Sequence, residues 1–248
     1  MKIGILGTGH IGKSLCMRLS QAGHEVKVAN SRGPETIDAE LLSFGARAMT
    51  TEEALIDVDV VILSIPLNRI RGIAPLVARL PQDTVVIYTS NYYPFRDEKI
   101  EAIERGQVES LWVAEQLGRP IARHGTRSAR TRWPGRQSLL ERQIGLPSRW
   151  LRIARTIARS PCRWSMDTGL DAFDAGVLAD SWRQQPGAPV YCTDLSYAQV
   201  GAALQAAERY RLPTRRDIGV AVMQERIGDG TTNPDAKWGV RLVRAINM

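Results

Sequence analysis

Short apolar runs alternate, over the first ninety positions, with stretches in which apolar side chains recur every third or fourth residue. Lys2–Leu6 is the first run and ends at glycine, as a buried strand does. Lys13–Gln21 follows with Leu15, Cys16 and Leu19 at helical spacing. "AGHEVKVAN" (22–30) reads as a turn and a second strand, Pro34–Phe44 as a helix, and Arg47–Met49 as a short third strand. Thr50 or Thr51 is placed to cap a helix over "EEALID", whose acids fall in the first turn where the helix dipole favours them. "VDVVILSIP" (58–66) is a fourth strand, "LNRIRGIAPLVARL" (67–80) a helix kinked at Pro75, and "DTVVIYTSN" (83–91) a fifth strand. Such β-α-β alternation predicts a parallel sheet covered by helices on both faces.

The last third has another rhythm. "TDLSYAQVGAALQAAERYRL" carries Leu195, Ala198, Val200, Ala202 and Leu204 in a helical composition. Pro213 opens a second helix that reaches about Ile227, and "NPDAKWGVRLVRAI" a third, with Asn233 as cap and Pro234 at the first helical position. At 248 residues the chain can bury a sizeable core as one large domain or two small ones. Three stretches are predicted: a dinucleotide-binding domain over 1–118, an anomalous arginine-rich segment over 119–168, and a mainly helical part over 169–248.

The glycines give the first part its chemistry. Gly7-Thr8-Gly9-His10-Ile11-Gly12 is a GxGxxG motif between a predicted strand and a predicted helix, the context that gives this otherwise weak pattern meaning. Gly7 permits the tight turn, Gly9 lets the backbone approach a pyrophosphate, and Gly12 lets helix and strand pack closely. The helix start then offers free N–H groups and a positive dipole end. The expected fold is therefore α/β, a Rossmann-type doubly wound parallel sheet with a helical C-terminal part. Dinucleotide sites that prefer NAD usually place an acid after the second strand to hold the ribose 2′-hydroxyl. Here Asn30 takes that place, followed by Ser31 and Arg32, a hydroxyl donor and a guanidinium suited to a 2′-phosphate. NADP is the expected cofactor. Ser64-Ile65-Pro66 and the loop containing Asn91 follow the fourth and fifth strands and are expected to line the nicotinamide side.

These residues resemble the deazaflavin-dependent NADP oxidoreductases. The likeness rests on "KIGILGTGHIGKSL", on "NSR", on "VVILSIP" and "VVIYTSNYYP", and then on "GLDAFDAGVLADSWRQQPGAPVYCTDL". It covers roughly 1–118 and 169–248. The first block is shared with pyrroline-5-carboxylate reductases and ferric reductase domains, whereas the last is more specific to bacterial members of the group. The resemblance implies hydride transfer between NADPH and a second acceptor, often a deazaflavin (coenzyme F-420). It assigns Thr8, His10, Ile11, Ser31 and Arg32 to NADP, and sets the loop at Pro66 beside the acceptor ring. It matches Trp182, Arg183, Gln184 and Tyr191 to a block that contacts acceptor or dimer partner, or that packs helices on the sheet. Tyr88 stands where the family pattern has an Asp.

The residues agree with such chemistry by what they lack. The three histidines are His10 in the glycine loop, His24 in a turn and His124 in the basic segment, and no His–Asp or Lys–Tyr pair presents itself as general acid and base. Hydride exchange between two rings mainly needs positioning. No catalytic residue and no metal ligand is therefore assigned. The alternatives are reduction of a flavin, a metal chelate or an imine and, in another class, a non-catalytic NADP-binding protein.

Charge changes the picture in one place. The chain carries a net +7, yet residues 119–163 hold twelve arginines and one acid, Glu141, which leaves the remainder at −4. Residues 122–168 depart from the family pattern at unchanged length. Their enrichment in Arg, Ser, Pro, Trp and Cys is the composition of an out-of-frame reading of a GC-rich gene. A genuine basic segment and a nucleic-acid-gripping patch are the alternatives, the latter disfavoured because no known binding module accompanies it. On the out-of-frame reading the sheet loses its last strands and an edge is exposed. Cys16, Cys162 and Cys192 form no CxxC pair, no signal peptide opens the chain, and no apolar run reaches eighteen residues. A cytoplasmic protein with a small-molecule or cofactor acceptor and no membrane partner is expected; the sequence does not fix the oligomeric state, and a homodimer through the helical C-terminal part is one candidate.

Overall fold

A computed structural model describes residues 1–124, 173–228 and 235–248. They fall into two compact units, 1–90 with 113–124, and 91–112 with 173–228 and 235–248. Most of the arginine-rich segment, and with it every expectation placed on 125–172, lies outside the described residues.

The first unit is a six-stranded sheet, all of whose described pairs are parallel, in the order β3-β2-β1-β4-β5-β6. The strands are β1 Lys2–Leu6, β2 Glu25–Ala29, β3 Arg47–Ala48, β4 Val60–Leu63, β5 Val85–Tyr88 and β6 Ala122–Arg123. One face of the sheet presents Ile3, Ile5, Val26, Val28, Val60, Ile62, Val85 and Ile87, the alternate positions of their strands. These meet Leu15, Cys16 and Leu19 of α1 (His10–Gln21), together with Ile37 and Leu41. Burial lifts the Cys16 thiol to about 11, so it behaves as an apolar filler rather than a nucleophile. On the opposite face Gly4 lies under the Ala54 carbonyl, and a Cβ there would collide with it. With both faces covered, the strands read as continuous apolar runs.

Three helices are shorter than their patterns predict. Pro34–Phe44 is not one helix but a 3-10 turn, Pro34–Thr36, followed by α2, Ala39–Ser43. Ile37 and Asp38 are extended between them, because the Asp38 carboxylate caps the second piece by accepting from Glu40 N at 3.0 Å. "EEALID" forms only the 3-10 turn Glu53–Leu55, whose N-cap is Glu52 rather than Thr50 or Thr51; Thr50 instead exchanges bonds with its first residue, its hydroxyl accepting from Glu53 N while the Glu53 carboxylate accepts from Thr50 N. Residues 67–80 give a 3-10 turn, Leu67–Arg69, and α3, Ile70–Val77, which runs through Pro75.

The sheet does not stop at β5. Ala122 and Arg123 pair with Ile87 and Tyr88, and His124 N donates to Tyr88 O at 3.0 Å. A short sixth strand thus covers the edge that the sequence pattern leaves bare. Arg119, the first arginine of the basic segment, anchors the approach to it. Its guanidinium donates to the carbonyls of Val77, Pro81 and Thr84 at 3.1, 3.1 and 2.7 Å, joining the end of α3 to the entry of β5.

The second unit is helical. It holds α4 Pro94–Asp97, α5 Glu101–Glu104 and the first four residues of α6 (Glu109–Leu117), whose last five belong to the first unit. Then come a 3-10 turn over Leu178–Gln184, α7 Tyr197–Gln205, α8 Leu212–Ile227 and α9 Ala236–Asn247. Ser196 and Gln199 form a capping box at α7. The helix α9 is capped by Asp235, which accepts from Trp238 N at 3.1 Å. The expected cap Asn233 and the expected first helical residue Pro234 lie outside the described residues. Trp182 and Tyr191 pack against Ala188, Ala207 and Leu212, and Arg183 lies over the Trp182 ring while donating to Leu204 O. For these three side chains a packing role is what the unit displays. No described helix is long and apolar enough to cross a membrane.

Candidate functional site

The strand order reverses between β1 and β4, and ligands of open α/β sheets sit at the carboxyl ends of strands at such a point. Two loops leave the sheet there, Gly7–Gly9 after β1 and Ser64–Pro66 after β4. They touch. Gly7 has φ +107° and donates from its N–H to Ala29 O at 2.8 Å. A side chain at Gly7 would collide with the Ser64 carbonyl and press on Ile65, so both backbone angle and space demand glycine. A side chain at Gly12 would collide with the Gly7 carbonyl, which sets how closely α1 approaches the loop.

Gly9 differs from both. A Cβ built there meets no heavy atom within 4 Å, and its φ of −68° suits any residue. Nothing in the folded chain asks for a glycine at this position. Gly9 is also the N-cap of α1; no side chain caps the helix and its first turn holds no acid. The free N–H groups and the dipole end of a 12-residue helix therefore face an open cradle that a Cβ would fill. This geometry fits a pyrophosphate. Thr8 is half-buried, His10 exposed at the start of α1, and Ile11 packs on the core from the same turn.

The loop after β2 is built by Asn30. Its carbonyl oxygen accepts from Arg32 N at 2.8 Å, and its amide donates to Thr36 Oγ at 2.9 Å, whose hydroxyl in turn donates to Gly33 O at 2.8 Å. Asn30 is thus a loop brace, and Ser31 and Arg32 project into solvent. The Arg32 guanidinium enters no ion pair among the described residues. Lys13, one turn into α1, holds Asp38 and Glu40, each at 2.7 Å. Its hydrogen bonds to Asp38 and then Glu40 raise the ammonium well above its ordinary range, and the same contact keeps the Asp38 carboxyl low. Neither the Asn30–Thr36 brace nor the Lys13 clamp was expected from the pattern. The Asn-x-x-Gly-x-x-Thr spacing of the brace is visible in the sequence in hindsight; the clamp spans 25 residues and leaves no local signal.

The remaining expected residues separate into two groups. Ser64, Ile65 and Pro66 stay with the glycine loop, and Ser90 Oγ donates to Ile65 O at 2.6 Å to hold that turn. Asn91 belongs to the second unit, where its backbone carbonyl accepts from Arg96 Nη2. In that unit the Tyr93 and Tyr191 hydroxyls lie 2.5 Å apart, a pairing 98 residues apart in the chain that sequence spacing did not reveal. Burial raises both phenols above their ordinary range. Among the described residues no three His, Cys, Asp or Glu side chains gather as a metal site would need.

Residues 2–92 match the family described as "NADP oxidoreductase coenzyme F420-dependent", a family of NADP-dependent oxidoreductases. The Escherichia coli K12 protein YjhV is 44% identical over 52 residues, which are 19% of this chain and 38% of that protein; the chain thus spans about two fifths of the curated relative it matches. Among solved structures, the hypothetical protein SMa0349 of Sinorhizobium meliloti superposes with a TM-score of 0.54 at 21% identity, covering 79% of this chain and 95% of that one. An imine reductase of Streptomyces aurantiacus matches 100% of this chain and 92% of its own length, with a TM-score of 0.41 and 16% identity.

Proposed function

We propose that this chain, whose residues 2–92 belong to the coenzyme F420-dependent NADP oxidoreductase family, binds NADPH and passes its hydride to a deazaflavin-like ring or another small acceptor. The observation that carries the reading is Gly9: a glycine the fold does not need, at the uncapped start of α1, with a loop after β2 whose Arg32 enters no ion pair among the described residues. NADPH, when bound, supplies the hydride. The chain supplies the rest. The α1 N–H groups receive the pyrophosphate, Gly9 leaves room for it, and Arg32 with Ser31 receives the 2′-phosphate. Gly7 and the Ser64–Pro66 turn shape the floor at the switch point.

Titration with NADPH and NADH, read by intrinsic fluorescence, tests this. We expect NADPH to bind more tightly than NADH. Arg32→Ala should lower NADPH affinity roughly tenfold to a hundredfold, the scale of a lost charge-assisted contact, while moving NADH by less than about threefold. Binding of neither nucleotide would overturn the reading. Turnover on mixing NADPH with the oxidised deazaflavin, followed by the loss of NADPH absorbance, tests the acceptor; binding without turnover for deazaflavin, flavin, ferric chelate and cyclic imine alike would leave the NADP-binding protein as the better description.

A further inference from the structure

The loop that carries Arg32 also carries a carboxylate with the opposite preference. Gly33 has φ +105°, and a Cβ built on it would collide with both carboxylate oxygens of Glu35. The Glu35 side chain is therefore folded back over the backbone next to Arg32 rather than pointing away along the 3-10 turn Pro34–Thr36. The brace from Asn30 to Arg32 N and Thr36, closed by Thr36 on Gly33 O, fixes both ends of this five-residue stretch. Three acids follow Arg32 closely: Glu35, Asp38 and Glu40. Lys13 neutralises the second and third at 2.7 Å each. Glu35 is in no ion pair among the described residues, so its charge is the uncompensated one beside the cofactor loop.

We infer that Glu35 is a specificity-determining residue, a carboxylate that opposes the 2′-phosphate Arg32 attracts and so narrows the chain's preference for NADPH over NADH. The inference rests on the nucleotide reading above and deepens it. The physical basis is the rule that an acid at the end of the second strand suits a ribose 2′-hydroxyl and a cation suits a 2′-phosphate. This loop carries one of each, the acid five residues later than usual and returned to the loop by the turn at Gly33. Two like charges a few ångström apart at a solvated surface repel enough to change an equilibrium constant severalfold.

The test is a four-way titration: wild type and Glu35→Gln, each with NADPH and with NADH, at 50 and 300 mM salt. The substitution keeps the side chain's size and removes its charge. We expect Glu35→Gln to tighten NADPH roughly threefold to tenfold, to leave NADH within about twofold, and to show the larger gain at low salt, where screening is weakest. Glu35→Ala, with thermal melts of all three proteins, guards against a local change in folding and should move the NADPH to NADH ratio the same way. If both nucleotides bind and the ratio stays within twofold in both variants, Glu35 has no such role and the inference falls while the nucleotide site stands. If wild type binds neither nucleotide, the nucleotide reading itself falls and takes the inference with it.

Discussion

At the scale of single residues, the three glycines of one motif are not equivalent, and their difference separates folding from binding. Gly12 faces the Gly7 carbonyl, and an added methyl group has nowhere to go. Gly12→Ala should therefore destabilise the first unit by about 1–3 kcal/mol, even though alanine is the better helix former, because an overpacked backbone contact outweighs the propensity gain. Gly9 faces open space at an ordinary backbone angle. Gly9→Ala should leave the melting temperature within a degree or two of wild type and weaken NADPH binding at least tenfold, since its methyl group fills the place of the pyrophosphate. Melts and titrations on the two variants check this directly. A Gly9→Ala protein that binds NADPH as well as wild type would mean that the cradle serves no phosphate. The motif and its strand-to-helix setting were legible from sequence alone, whereas the part given to Ser31 and Arg32 is one that the titrations test. Asn30 was read only as an absent acid. Its structural work depends on Thr36 six residues on, and side-chain braces of that kind compete with the helix that the apolar spacing of 34–44 suggests.

At the scale of elements, β1, β2, β4 and β5 were legible because each is a buried run bounded by glycine, proline or polar turns, and both faces of the sheet are covered. The two-residue strand β6 was not. Its residues, Ala122 and Arg123, stand at the border of the arginine-rich stretch, and two residues carry no period. What holds this corner is a long side chain rather than a pattern: Arg119 reaches three carbonyls at the end of α3 and before β5, and Arg123 lies 5.6 Å above the Tyr88 ring. These two arginines belong to the sheet, although composition groups them with a solvated basic run. Arg119→Ala should cost about 2–3 kcal/mol, as for a charged donor shared among several backbone acceptors. Arg119→Lys should recover less than half of that, because an ammonium cannot span the Val77, Pro81 and Thr84 carbonyls as a planar fork does. Urea denaturation followed by tryptophan fluorescence and by circular dichroism measures both. Equal stability of the alanine variant and wild type would show that the carbonyls are satisfied equally well by water.

At the scale of the whole molecule, the two units differ in how much they bury. The first has fourteen buried side chains in one core around β1, β2, β4 and β5. In the second, Ala188, Ala207 and Leu212 form a small cluster, and Tyr92, Val108, Trp112, Val200 and Leu204 are the other buried apolar side chains among the described residues; α8 fully buries only Leu212 and Arg216, and none of residues 237–247 in α9 is fully buried. Stability should be distributed accordingly, since helices with few buried apolar contacts open at little cost. In native-state hydrogen exchange the amides of β1, β2 and β4 should be the slowest, and those of α8 beyond its first turn and of α9 faster by at least a hundredfold. Adding NADPH should slow exchange at 7–12 and 30–36, which contain the cradle and the braced loop, and leave α8 and α9 unchanged. Protection confined to those two loops would tie the nucleotide to the residues named here; none there, with binding still measurable, would move the site elsewhere. The helices offer a second outcome. If α8 and α9 exchange as slowly as the sheet in concentrated protein and speed up on dilution, something that dissociates must be covering them. A second copy of the chain then becomes the partner to seek, because α9, which meets α8 through Trp238 and Ile246, is apolar on one side and carries Lys237, Arg241 and Arg244 on positions open to solvent.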